Sequence, residues 1–114
     1  MIKVEYKKPD IQRLCTNFEY AKSKMPLEAA QGLRLLMTII IAADDLSFFL
    51  KPENLKYKLE KLKGKQQYEM SLRVKPGRKC GYRMIFECTN TGIKDDYKNM
   101  NAIRILDVNN HKYK

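Results

Sequence analysis

Tyr68–Cys88 reads YEMSLRVKPGRKCGYRMIFEC, and its two halves decide the fold. In the first half Met70, Leu72 and Val74 alternate with Glu69, Ser71, Arg73 and Lys75. In the second, Tyr82, Met84, Phe86 and Cys88 alternate with Arg83, Ile85 and Glu87. A period of two sends one set to each face of a strand. Pro76-Gly77 is a turn signal between them. The stretch predicts two antiparallel strands over Tyr68–Lys75 and Tyr82–Cys88, each with one apolar and one polar face.

Downstream, a polar loop over Thr89–Asn101 leads to a last strand over Ala102–Val108, which completes a meander. Upstream, Leu55, Leu59 and Leu62 lie among lysines and end at Gly64, which fits a helical turn or an irregular crossing segment. Ser47–Asn54, with Phe48, Phe49 and Pro52, is a connector. Leu27, Ala30, Leu33, Leu36, Met37, Ile40 and Ile41 follow Pro26 at helical spacing, up to Asp44-Asp45. The run Ile39-Ile40-Ile41 also suits a strand, but the alanines and Glu28 around it favour a helix. Ile11, Leu14, Cys15, Phe18 and Ala21 form an earlier helical face behind Pro9-Asp10, a helix start. Met1–Tyr6 alternates and reads as a short strand. The expectation is an α+β domain over residues 1–114 with the order β-α-α-β-β-β, a mainly antiparallel sheet and two helices packed on one face. The other face then stays open and carries Arg73, Lys75 and Arg83.

The charge favours a polyanionic partner. Of 23 Lys+Arg and 13 Asp+Glu, eleven cations and three anions fall between Lys51 and Arg83, which gives that segment eight of the ten net charges. The N-terminal half is nearly balanced. A basic surface on a mixed body fits a binding site for nucleic acid better than it fits solubilising charge spread evenly. Cys15, Cys80 and Cys88 have no zinc-type spacing, and a single histidine excludes a His-rich metal site. No metal or cofactor is expected. Met1–Lys8 alternates apolar and charged residues, unlike a signal peptide, so three reduced thiols in a cytoplasm are expected. The run Leu35–Ala43 is far short of the ~20 residues of a membrane helix and reads as a buried helix.

What remains for chemistry is a set of cations. Lys58, Lys61 and Lys63 precede the meander, Arg73 and Arg83 lie within it, and His111 with Lys112 follows it. Cleavage of RNA by its own 2′-OH needs a proton removed, charge on phosphorus stabilised and the leaving oxygen protonated. Arginine and lysine can hold the phosphate, and a histidine can move a proton near neutral pH. The same cations can equally do no more than grip phosphate backbone.

Leu59-Glu60-Lys61-Leu62-Lys63-Gly64, Tyr68–Val74 and Tyr82-Arg83-Met84-Ile85-Phe86 together resemble the toxins of the RelE/HigB family. That pattern is an L-K-G segment, an aromatic-x-x-S-[IL]-x-[VL] strand and a Y-R-[LM]-I-F strand. Ile105–His111 is similar to the family's closing strand and D-Y-H end, and Lys8–Cys15 resembles the opening of one branch. The resemblance implies a toxin of a toxin–antitoxin pair, an mRNA endonuclease acting in the ribosomal A site. It implies a cognate antitoxin partner, often with a helix-turn-helix, through which alone operator DNA would be bound. Carried over, Arg73, Arg83 and His111 are the catalytic candidates. Lys58, Lys61, Lys63, Lys75, Lys112 and Tyr113 are candidates for RNA or ribosome contact. Glu60 stands where that branch often has His, and Asn110 replaces the tyrosine of D-Y-H. The same fold also serves ParE-type toxins, which poison DNA gyrase without cutting RNA, so a non-nuclease toxin or a plain RNA-binding module stays open.

Overall fold

A computed structural model describes residues 1–62, 69–77, 80–91, 93 and 95–110. The chain is α+β. Strand β1 (Lys3–Tyr6) is followed by α1 (Pro9–Thr16), α2 (Phe18–Lys24) and α3 (Leu27–Ala42). Two 3-10 segments, Leu46–Leu50 and Pro52–Tyr57, lead to β2 (Glu60–Lys61), β3 (Glu69–Arg73), β4 (Arg83–Cys88) and β5 (Ala102–Asn109). The five strands form one mixed sheet in the order β1-β5-β4-β3-β2, with β1 parallel to β5 and the other pairs antiparallel.

Two elements differ from the sequence reading. The helical face from Ile11 to Ala21 belongs to two helices. Asn17 takes an extended conformation (φ −122°, ψ 102°), and its side-chain oxygen accepts from the Tyr20 N–H at 3.1 Å, so it caps α2 while ending α1. The described residues also include a fifth strand, β2, whose two residues are too few to show a period. Elsewhere proline sets the boundaries. Pro9 opens α1, and Met25 is extended ahead of Pro26, where α3 begins.

One apolar cluster holds the sheet to the helices. Met70, Leu72 and Val74 of the β3 segment, Met84 and Phe86 of β4, and Ile103, Ile105 and Val108 of β5 pack with Leu33, Leu36, Met37 and Ile40 of α3. Leu46, Phe49 and Tyr57 from the 3-10 segments close it. Only one side of α3 takes part, since Leu35 and Ile41 of the apolar run are 56 % and 42 % exposed. The N-terminal half of α3 lies hard against the end of β3. A Cβ on Gly32 would meet the Val74 carbonyl oxygen at 2.8 Å and the Lys75 Cβ at 2.9 Å. Beyond Val74 the chain turns at Gly77, whose φ of +108° suits glycine.

The registers set which residues share the opposite face. Phe86 pairs with Ile105 but Ile85 pairs with Asp107, so Leu106 is an extra residue, a bulge. Ahead of it odd-numbered residues face the core; after it Val108 does. The bulge therefore turns Asp107 and Asn109 onto the face that also carries Arg104.

Candidate nucleic-acid interface

The face away from the helices is built in rows across the strands. At one end Arg73 of β3, Arg83 of β4 and Asn109 of β5 are direct cross-strand partners. The next row is Glu60, Ser71, Ile85 and Asp107. The far row is Glu69, Glu87, Arg104 and Glu5. Arg104 there bonds Glu87 at 2.9 Å and Glu5 at 3.1 Å, and these hydrogen bonds raise its pKa. The face is thus basic at one end and acidic at the other.

Arg83 is fixed by several hydrogen bonds. Its Nε and Nη2 both donate to Ser71 Oγ, at 3.1 and 2.9 Å, and Nη2 also donates to the Lys58 carbonyl at 3.1 Å. Glu60 Oε2 stands 3.4 Å from the same Nη2, and Glu60 Oε1 stands 3.4 Å from Lys58 Nζ. The guanidinium side chain is only 12 % exposed. Ser71 is wholly buried, though it lies on the polar face and outside the core cluster. Sequence reasoning took Ser71 as a motif position and missed its role as the anchor of Arg83. The signal was its place in the strand, one side-chain repeat from Arg73, but the partner is set by register.

Lys58 has a second distinguishing feature. It closes the 3-10 segment in the left-handed region (φ 50°, ψ 63°), which costs a non-glycine residue about 1 kcal/mol or more. That conformation aims its carbonyl at Arg83 and leaves its ammonium beside Glu60. Arg73 is half-buried, and among the described residues no carboxylate pairs with it. Two like charges directly opposite on neighbouring strands destabilise a sheet by on the order of 0.2–1 kcal/mol.

The structure brings Arg73, Arg83 and Lys58 together, and separates two other candidates from them. Lys75, expected on the open face, lies past the end of β3, because the strand stops at Arg73 and the alternation with it. Its ammonium is 3.9 Å from Glu28 of α3. Lys61 pairs with Met70, so it points to the opposite face from Arg83. There it bonds Asp95 and lies 5.9 Å from the Tyr97 ring, and the hydrogen bond to Asp95 raises its pKa. Lys63, His111, Lys112 and Tyr113 lie outside the described residues.

Cys80 and Cys88 are half-buried thiols packed against the core, and Cys15 is buried, its pKa pushed up to about 12 by loss of solvent. No described helix is long and apolar enough to cross a membrane. No protein-family model matches the chain, and no curated protein is significantly similar to it in sequence.

Proposed function

We propose that this chain is a ribonuclease toxin of the RelE/HigB type, and that the Arg73–Arg83 end of the open sheet face takes the RNA backbone. The observation that carries this reading is the direct cross-strand pairing of two arginines, with Lys58 beside them, on the sheet face opposite the apolar core cluster. A sheet gains nothing in stability from two like charges paired across its strands, whereas a phosphodiester taken between them offsets their repulsion. The motif resemblance from Leu59 to Phe86 places both arginines and supplies the reaction class. In that reaction Arg73 and Arg83 hold the scissile phosphate and stabilise its developing charge, and His111 transfers the proton. Lys58 contacts the RNA, Lys63, Lys112 and Tyr113 are further candidates for RNA or ribosome contact, and the ribosome presents the message. The toxin works in the cytoplasm and is silenced by an antitoxin until released.

One observation favours a second reading, a binder that does not cut. Nε and Nη2 of Arg83 are committed to Ser71, Lys58 and Glu60, which suits a fixed grip as well as it suits catalysis.

The test is induction of the chain in a bacterium lacking the partner gene. Growth should stop, and Arg73→Gln, Arg83→Gln or His111→Gln should each restore it while the protein still accumulates. Arrest that persists through all these substitutions removes the proposed site.

A further inference from the structure

The contacts around Glu60 are of two strengths. Arg83 is held firmly by Ser71 and the Lys58 carbonyl at 2.9–3.1 Å, and none of those bonds involves Glu60. Glu60 itself is held loosely, 3.4 Å from each of its two cations and 43 % exposed. Charge-assisted pairs close to about 2.7–2.9 Å where nothing prevents it. Arg104 does nearly that at the other end of the same face, at 2.9 and 3.1 Å from its carboxylates. One carboxylate therefore spans two cations that it fits poorly, while the arginine stays in place without it.

We propose that Lys58 and Arg83 form a subsite for one phosphate, and that the Glu60 carboxylate occupies it in the free protein as a resident stand-in. The inference rests on the reading of this face as an RNA interface. The non-bridging oxygens of a phosphodiester carry one negative charge shared over two acceptors, as a carboxylate does. They can take the positions that Glu60 Oε1 and Oε2 hold against Lys58 Nζ and Arg83 Nη2. Binding is then an exchange of anions on a cradle that is already built. Glu60 swings to solvent, from which it is already partly reached. The stand-in offsets the repulsion of Lys58 and Arg83 while the site is empty, and it lowers affinity for phosphate in general, so that only RNA held by further contacts displaces it.

The test measures binding of a short 2′-O-methyl oligoribonucleotide, which cannot be cleaved, to the full chain. Glu60→Gln keeps the size and one acceptor but removes the competing charge, and should bind roughly three- to tenfold tighter, the scale of one or two part-exposed ion pairs no longer broken. Glu60→Ala should act in the same direction. Glu69→Gln, at the acidic end of the face, should change binding by less than roughly twofold, because that carboxylate touches neither cation. Binding that weakens or stays the same in both Glu60 variants makes Glu60 a clamp for Arg83 and overturns the proposal. Equal tightening by Glu69→Gln overturns it also, by showing a general field effect. Arg83→Gln and Lys58→Gln separate the two levels. If they weaken binding while the Glu60 variants do not tighten it, the stand-in fails and the RNA interface stands. If neither weakens binding, the interface itself fails.

Discussion

Removing the hydroxyl of Ser71 should loosen Arg83, and the size of the effect follows from the contacts. Ser71 is wholly buried and accepts two hydrogen bonds from the guanidinium, at 2.9 and 3.1 Å. A hydrogen bond to a charged group is worth about 1.5–3 kcal/mol, and a buried donor left without an acceptor carries the cost of its desolvation. Arg83 keeps its bond to the Lys58 carbonyl, and the substitution leaves a void no larger than one oxygen, so the lower part of that range applies. Ser71→Ala should therefore destabilise the fold by about 2 kcal/mol, a fall in Tm of roughly 8 °C for a domain of this size. The decisive form is a double-mutant cycle with Arg83→Met, read by urea denaturation. With the guanidinium gone, the hydroxyl has no cation to hold, and Ser71→Ala should then cost less than about 0.5 kcal/mol. Additive single effects would refute the reasoning, because they would mean that Ser71 is buried for packing alone.

Three further outcomes are expected. Gly32→Ala gains about 1 kcal/mol of helix propensity but drives a methyl into the Val74 carbonyl, an overpacking cost of about 1–3 kcal/mol, so thermal melts should show a net loss; a gain would mean that α3 can retreat from β3 freely. Lys58→Gly relieves the left-handed backbone yet removes a cation of the site, so stability should rise by up to ~1 kcal/mol while RNA affinity falls and the salt slope drops by about one; the two moving together would contradict the placement of Lys58. Cys15 stays neutral in the fold up to about pH 12, whereas an unfolded thiol ionises near about 8.5, so above that pH the unfolded state binds fewer protons than the native one. The contribution of Cys15 is thus complete below about pH 8.5 and shrinks as pH rises toward 12, with Tyr6 and Tyr57 acting in the same sense at higher pH. Cys15→Ala should flatten the fall of stability between pH 8.5 and 10, and an unchanged slope would show that the thiol is not sheltered.

Much of the fold is legible in the chain because its signals are local. Pro9 and Pro26 mark helix starts, Pro76-Gly77 marks the turn after β3, and alternation finds β1, β3 and β4. What escaped depends on pairing. The Asn17 cap that divides α1 from α2 lies within a continuous helical spacing, and β2 is too short for any period. The Leu106 bulge resets the phase of β5, so odd-numbered residues face the core at its start and Val108 does at its end, a change that no local pattern announces. The same limits apply to the site. Arg73 and Arg83 fall on the face away from the core because both are still paired strand residues, at the last position of β3 and the first of β4. Lys75 does not, because alternation was carried one step past the strand, and Lys61 does not, because its face depends on a two-residue register. Ser71 and Glu60 become partners of Arg83 only when three strands are assembled.

Mapping mRNA 5′ ends transcriptome-wide, minutes after induction without the partner, tests the central claim most directly. New ends within translated codons, absent when Arg73→Gln or Arg83→Gln is induced to the same level, are the expected result. Growth arrest with no new 5′ ends, or ends that persist in both variants, would contradict an RNA-cleaving site on this face.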